Sequence, residues 1–216
     1  MEISVSLDPA SGKDFKEYVQ FLNGVDNIAI HCDVMDGCFV PRKSIPMSEY
    51  EYLCKKTKHP IDVHLMIENP VRDIGNFLAG NCRGNIRSIC FHAEATFPFE
   101  AIKLVEKIRM SGIRGGIAID LPTKIESIDS NLLFMCDDIT VMSVKAGASG
   151  QSFNKDALKK VKTLKKLYPD KRIILDGGIN IDNIKEVKKS GVDTAAMASA
   201  VYSAQDRELM IKQLRI

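Results

Sequence analysis

The chain of 216 residues has no surplus of charge of either sign. Lysine and arginine total 30 and aspartate and glutamate 28, a net charge of +2. Overall charge therefore gives no support to a nucleic-acid or membrane-surface partner. No apolar stretch approaches the roughly 20 residues needed to span a bilayer. The start, MEISVSLDPA, lacks the basic residues and apolar run of a secretory signal. The cysteines are Cys32, Cys38, Cys54, Cys82, Cys90 and Cys136, and no two form a CxxC pair. A cytoplasmic chain with reduced thiols is expected. No linker, low-complexity tract or composition break divides the sequence. Hydrophobic residues at 45% suffice for one core, so residues 1–216 are expected to form a single domain.

What the chain does have is alternation. Short apolar runs rich in β-branched residues occur at 3–7, 28–34, 61–66, 86–91, 116–119, 139–144, 173–175 and 192–196. Most are too short for helices and read as buried parallel strands. Between them lie segments with helical periodicity. Over 154–168 the apolar stripe is Leu158, Val161, Leu164 and Leu167, and lysines fill the other face. Over 180–190 it is Ile181, Ile184 and Val187, with Asn180 as N-cap and Gly191 as the stop. Over 99–110 it is Ile102, Val105 and Ile108. Eight strands alternating with helices predict an α/β fold, the (β/α)₈ TIM barrel. The other candidate is a doubly wound open sheet. It would carry a GxGxxG turn after its first strand, where this chain reads SLDPASGKDF.

Barrel chemistry sits at the C-terminal ends of the strands. In the second strand, alternation sends Ile28, Ile30, Cys32 and Val34 toward the helices. His31, Asp33 and Met35 then face the axis. In the third, Asp62, His64 and Met66 face in. Asp176 ends the seventh. His31, Asp33, His64 and Asp176 make a two-histidine, two-carboxylate set suited to one divalent ion: zinc, iron(II), manganese or cobalt. An inward histidine alone is as often a hydrogen-bonded core residue, and a strand-end aspartate is often a helix cap. Four converging on one mouth favour a site. His59 sits at the wrong end of its strand, and His92 lies where it lines the mouth. Met35, Met66 and Met142 read as core filler or as a wall that excludes water.

Small residues follow the last three strands: Lys145–Gln151, with Gly147 and Gly150; Gly177-Gly178; and Ala198-Ser199-Ala200. Such turns let backbone N–H groups approach an anion. Together they predict a phosphate cradle.

With these residues the chain resembles ribulose-phosphate 3-epimerase over nearly its whole length. The blocks that carry the resemblance are His31–Pro41, Asp62–Met66, Gly147–Gln151 and Asp176–Gly178. The resemblance implies one divalent metal on His31, Asp33, His64 and Asp176, with Asp33 and Asp176 as the acid/base pair. It implies Met35, Met66 and Met142 near the reacting carbons, and phosphate on Gly150, Gly177, Gly178 and Ser199. It also implies a homo-oligomer. The chain departs from the family where Pro9 replaces a substrate-facing serine, at Asp8 before it, in the loop from Lys145, at Asp120-Leu121 and at Ala198. These departures bear on substrate more than on reaction type.

The expected activity is metal-dependent 3-epimerisation of D-ribulose 5-phosphate to D-xylulose 5-phosphate through an enediolate. A related ketose phosphate such as D-allulose 6-phosphate is the alternative. A non-catalytic sugar-phosphate-binding protein is the alternative of another class. If the two aspartates failed as acid and base, Asp36 or Glu94 would be next to test.

Overall fold

A computed structural model describes residues 1–79, 84–147 and 150–215. Cys82, Ala148 and Ser149 lie outside the described residues. Eight parallel strands form the barrel: β1 (Glu2–Ser6), β2 (Ala29–Asp36), β3 (Ile61–Met66), β4 (Ile86–His92), β5 (Arg114–Ile119), β6 (Asp138–Met142), β7 (Arg172–Asp176) and β8 (Thr194–Met197). Each pairs with the next, and β1 pairs with both β2 and β8, which closes the ring. A two-residue strand, Lys43–Ser44, folds back antiparallel on the end of β2.

Helices α1 (Phe15–Asn23), α2 (Met47–Lys56), α3 (Pro70–Leu78) and α4 (Pro98–Met110) follow the first four strands. Helices α5 (Ser130–Met135), α6 (Asp156–Leu167) and α7 (Ile184–Lys189) follow the next three. A single turn, α8 (Ser199–Tyr202), and then α9 (Arg207–Leu214) follow β8. Alternation holds as expected. Ile30, Cys32, Val63 and Leu65 join the core between strands and helices, and the polar residues between them face the axis.

Three helix details differ from what the sequence predicts. The helix expected from Asn180 starts at Ile184. The Asn180 side chain accepts the N–H groups of Asp182 and Asn183, which makes a turn rather than a cap and leaves Ile181 exposed. Leu158, Val161 and Leu164 are buried as expected, but Leu167 is exposed at the last residue of α6. In α4, Val105 and Ile108 are buried while Ile102 is only half-buried.

The barrel interior is layered by strand register. At the closed end Asp62 lies across from Ser88, and Asp138 across from Arg172. His59 is also at this end and meets the Leu22 carbonyl oxygen at 2.9 Å, so it takes no part in the mouth. One layer up, Asp33 is opposite His64, Met35 opposite Met66, and Met142 opposite Asp176. None of the five described cysteines forms a disulfide. No helix among the described residues is long and apolar enough to cross a membrane.

Candidate active site

Register brings the four candidate ligands together. One nitrogen or oxygen from each of His31, Asp33, His64 and Asp176 lies within 4.8 Å of all the others. His31 Nε2 is 3.1 Å from Asp33 Oδ1 and 3.5 Å from Asp176 Oδ2. His64 Nδ1 is 3.1 Å and 3.3 Å from the same two oxygens. Both imidazoles are buried beneath the mouth. Asp33 is fixed from the other side by the Ser6 hydroxyl, which donates to Oδ2 at 2.6 Å. The end of β7 is held by Ser143, whose backbone N–H donates to the Asp176 carbonyl at 2.8 Å.

His64 Nδ1 is hydrogen-bonded to Asp33, but the His31 contacts are close without being good hydrogen bonds. Both ring nitrogens of His31 are buried, and neither has a hydrogen-bond partner among the described residues, although Nε2 sits near two carboxylates. Such an orphaned imidazole costs free energy unless something else uses its lone pair. The charges agree. Burial pulls the His31 pKa down, but Asp33 and Asp176 together carry it well above the ordinary histidine value. His64 is raised by the same carboxylates against its own burial. Burial pushes Asp33 and Asp176 up, and the histidines, His31 foremost, bring both below the usual carboxylate range. With neutral imidazoles the cluster carries two negative charges. Two protons or one divalent cation balance it, and two imidazoles with two carboxylates are a donor set that such an ion fits.

The two aspartates of the cluster line a cavity. Met35, Met66 and Met142 pack together as a small apolar group with Val40, Val144 and Ala146. All three methionines, with Asp33 and Asp176, line the cavity. Its rim includes Gly147, Gly150, Gly177, Gly178 and Ser199, so the three glycine- and serine-bearing turns border one space. Gly177 and Gly178 leave no room for a side chain. Gly177 has φ 107°, and a Cβ there would stand 2.3 Å from Val144. Gly178 has φ 66°, and a Cβ would stand 2.8 Å from the Phe153 nitrogen. Lys145 is exposed at the same rim.

Two other acidic residues named from the sequence have different roles. Asp36 is a loop staple: Oδ1 accepts the N–H groups of Cys38 and Phe39, and Oδ2 that of Glu68. Glu94 is tied to His92 and to the Asp120 N–H, and its pKa falls to about 2 because these contacts outweigh burial. The sequence pattern gives His92 too little weight. It is fully buried, and its Nε2 lies 3.0 Å from His64 Nε2. Its position at the end of β4, two residues before Glu94, is the signal that points to it. Asp8 is also buried against the cavity. Its Oδ1 accepts from Ser44 Oγ at 2.6 Å and from Arg42, which also reaches the Gly147 carbonyl at 3.2 Å.

Comparison with known proteins gives the family and the fold. The model of the "Ribulose-phosphate 3 epimerase family" matches residues 2–202. A ribulose-phosphate 3-epimerase of Mycobacterium bovis is 35% identical over 198 residues, 90% of this chain and 82% of the relative. One from Bacillus subtilis is 32% identical over 95% of this chain and 92% of the relative. Among solved structures, a tryptophan synthase α-subunit from Pyrococcus furiosus aligns with a TM-score of 0.72 at 15% identity, covering 99% of this chain and 95% of that one. A 3-hexulose-6-phosphate synthase from Salmonella typhimurium aligns with a TM-score of 0.70 at 16% identity, over 99% and 96%. These two speak to the barrel fold alone. The chain belongs to the ribulose-phosphate 3-epimerase family, a family of carbohydrate isomerases.

Proposed function

We propose that the chain, acting as one domain, epimerises a ketose phosphate at C3 with a divalent metal held by His31, Asp33, His64 and Asp176. D-Ribulose 5-phosphate and D-xylulose 5-phosphate are the proposed pair. The observation that carries this reading is the buried His31, whose nitrogens lack hydrogen bonds while two carboxylates and a second imidazole converge beside it. Zinc, iron(II), manganese and cobalt all suit the donors. Bound there, such an ion would act as a Lewis acid toward the developing enediolate oxygens.

The rest falls to the chain's own residues. Inversion at C3 needs one group to take a proton from one face and another to return one to the opposite face. Asp33 on β2 and Asp176 on β7 border the cavity from strands separated by β1 and β8. One removes the C3 proton as a carboxylate, and the other delivers a proton to the far face of the planar intermediate. The reverse reaction exchanges their roles. Ser6 keeps Asp33 oriented through its hydroxyl. Met35, Met66 and Met142 exclude water from the reacting carbons without offering a competing proton. The turns at Gly147, Gly150, Gly177-Gly178 and Ser199 border the place for the phosphate, and their backbone N–H groups would fix the sugar relative to the carboxylates.

A second reading concerns the substrate only. Asp8 places a buried carboxylate against the cavity, clamped by Arg42 and Ser44, where the family resemblance leads one to expect neither this residue nor Pro9. That favours a related ketose phosphate with a different hydroxyl pattern, such as D-allulose 6-phosphate. The test is metal analysis of the purified protein followed by coupled assays on both substrates. Turnover of ribulose 5-phosphate with a higher kcat/KM supports the first reading, and the reverse ranking supports the second. A protein with bound metal that turns over neither would sink both. The cytoplasmic location and a homo-oligomeric state belong to the same proposal through the family resemblance, and sedimentation tests the latter.

A further inference from the structure

His64 stands in a row of polar contacts that leads away from the carboxylates. Its Nδ1 faces Asp33 and Asp176. Its Nε2 lies 3.0 Å from His92 Nε2, with the two rings stacked at 26° and their centroids 5.1 Å apart. His92 Nδ1 lies 3.2 Å from Glu94 Oε2. The other Glu94 oxygen accepts the Asp120 backbone N–H at 2.9 Å. Phe39 closes over the His92 ring at a centroid distance of 4.7 Å. The row thus runs around the mouth from β3 to β4 to the segment after β5, and both imidazoles in it are sealed from solvent.

The direction of each hydrogen bond follows from the ends. A carboxylate only accepts, so His92 Nδ1 donates to Glu94. A neutral imidazole with its proton on Nδ1 presents a lone pair at Nε2. Two buried Nε2 atoms at 3.0 Å need one donor and one acceptor, so His64 Nε2 donates to His92. His64 therefore keeps its proton on Nε2; Nδ1 lies 3.1 Å from Asp33 Oδ1, and a divalent ion bound among the aspartates would take the Nδ1 lone pair in place of a second proton.

We infer that Glu94 and His92 are positioning residues that fix the tautomer and ring orientation of His64, so that its Nδ1 serves as a metal ligand. Neither touches the reacting atoms. The inference rests on the metal reading above and adds to it why β4 ends in His92-Ala-Glu94. The same arrangement accounts for the stacking of the His64 and His92 rings, over which Phe39 closes on the His92 side. It pins a side chain that would otherwise be free to flip and present Nε2 instead.

Cobalt(II) is a suitable probe, because its visible absorption reports ligand number and geometry. Its affinity would be measured by competition titration in the intact protein, and in His92→Leu and His92→Gln. His92→Leu leaves the His64 Nε2–H buried without an acceptor, and cobalt affinity should fall by roughly 10–100-fold with a changed spectrum. Glutamine sets a carbonyl oxygen near the former Nε2 and should recover most of the affinity and the native spectrum. A His92→Leu protein that binds within twofold of the parent overturns the inference. So does a glutamine variant that is folded yet no better than leucine. Nitrogen-15 shifts of the zinc-loaded parent give an answer that needs no variant: protonated Nε2 and metal-bound Nδ1 on His64 are expected, and the opposite tautomer overturns the inference. The metal reading fails separately, if the parent binds cobalt no more tightly than His31→Ala or Asp176→Asn.

Discussion

At the closed end of the barrel two buried aspartates meet arginines, and at the open end buried Asp33 and partly buried Asp176 meet histidines. Asp62 accepts from Arg87 and from Arg172 at 2.9 Å and 2.7 Å, and Asp138 from Arg114 and Arg172 at 2.8 Å and 2.6 Å. Asp33 and Asp176 have no lysine or arginine partner among the described residues. The difference decides what each pair of carboxylates can do. A guanidinium is permanently charged, donates in a planar fork and has no lone pair. It neutralises a carboxylate and holds it still. An imidazole has a lone pair and gives up its proton within reach of neutral pH. The closed end is an ionic plug. The open end has the donors that the proposed metal and proton-transfer chemistry needs, though both ends are built from inward aspartates on the same sheet.

The largest effect is expected from removing charge at the open end. Asp33→Asn or Asp176→Asn should cut epimerisation by roughly 10³-fold or more, since each carboxylate is needed in both directions. Deuterium uptake from solvent separates the roles. A variant lacking only the proton donor should still exchange the C3 proton of one epimer without inverting it. Near-normal epimerisation by metal-loaded Asp176→Asn would remove the two-carboxylate mechanism.

Much of this contrast is legible in the amino-acid order alone. Alternation along Ile28–Met35 and Ile61–Met66 is enough to aim His31, Asp33, His64 and Asp62 inward, because a strand's side chains change face at every residue. Asp62 and Asp33 then look alike. What separates them is height in the barrel, which depends on register with neighbouring strands, and Arg87 and Arg172 reach Asp62 from β4 and β7. Sequence spacing does not encode that meeting. His92 is hard to weigh from sequence for the same reason: its partner, His64, is on another strand, and only the register between β3 and β4 places the two rings in contact. Asn180 is ambiguous because an asparagine that caps a helix and one that closes the preceding turn look the same in one dimension.

The closed end should respond to mutation in stability rather than chemistry. Arg172→Met removes the shared partner of Asp62 and Asp138 and leaves Asp62 with Arg87 and Asp138 with Arg114. A loss of about 1.5–3 kcal/mol in urea unfolding is expected from the lost charged hydrogen bonds. Turnover per folded molecule should stay near that of the parent, because nothing at this end reaches the cavity. Lost kcat in protein that is still folded would mean that the two ends are coupled.

Chelation tests the open end without mutation. Dialysis against a strong chelator should abolish activity, and zinc, manganese or cobalt should restore it. Restored metal at a hundredfold excess over its Kd should also stabilise the fold by about 2.7 kcal/mol, readable as a rise in Tm. Arg172→Met should show the same increment. If the parent loses no Tm on chelation while activity is lost, the ion is not held by His31, Asp33, His64 and Asp176 together.

The smallest expected effect is the acid response of the plug. Burial raises the pKa of Asp62, but Arg87 and Arg172 overcome it and bring it from the ordinary 3.8 to about 2. A carboxylate depressed in the folded state binds fewer protons there than when unfolded. Its stabilisation is therefore complete above the unfolded value and is lost as pH falls through 3.8 toward about 2. The contribution is about 2 kcal/mol and should mostly disappear between about pH 5 and about pH 2. Asp33 and Asp176 are also held below the usual carboxylate range and lose stabilisation as pH falls, so the parent's acid curve alone does not isolate Asp62. The difference between the parent and Asp62→Asn does. An amide cannot titrate, so the variant should begin less stable at about pH 5 and lose about 2 kcal/mol less on acidification. Parallel curves would mean that the arginines lend Asp62 no special acidity, and the distinction between the two ends would then rest on geometry alone.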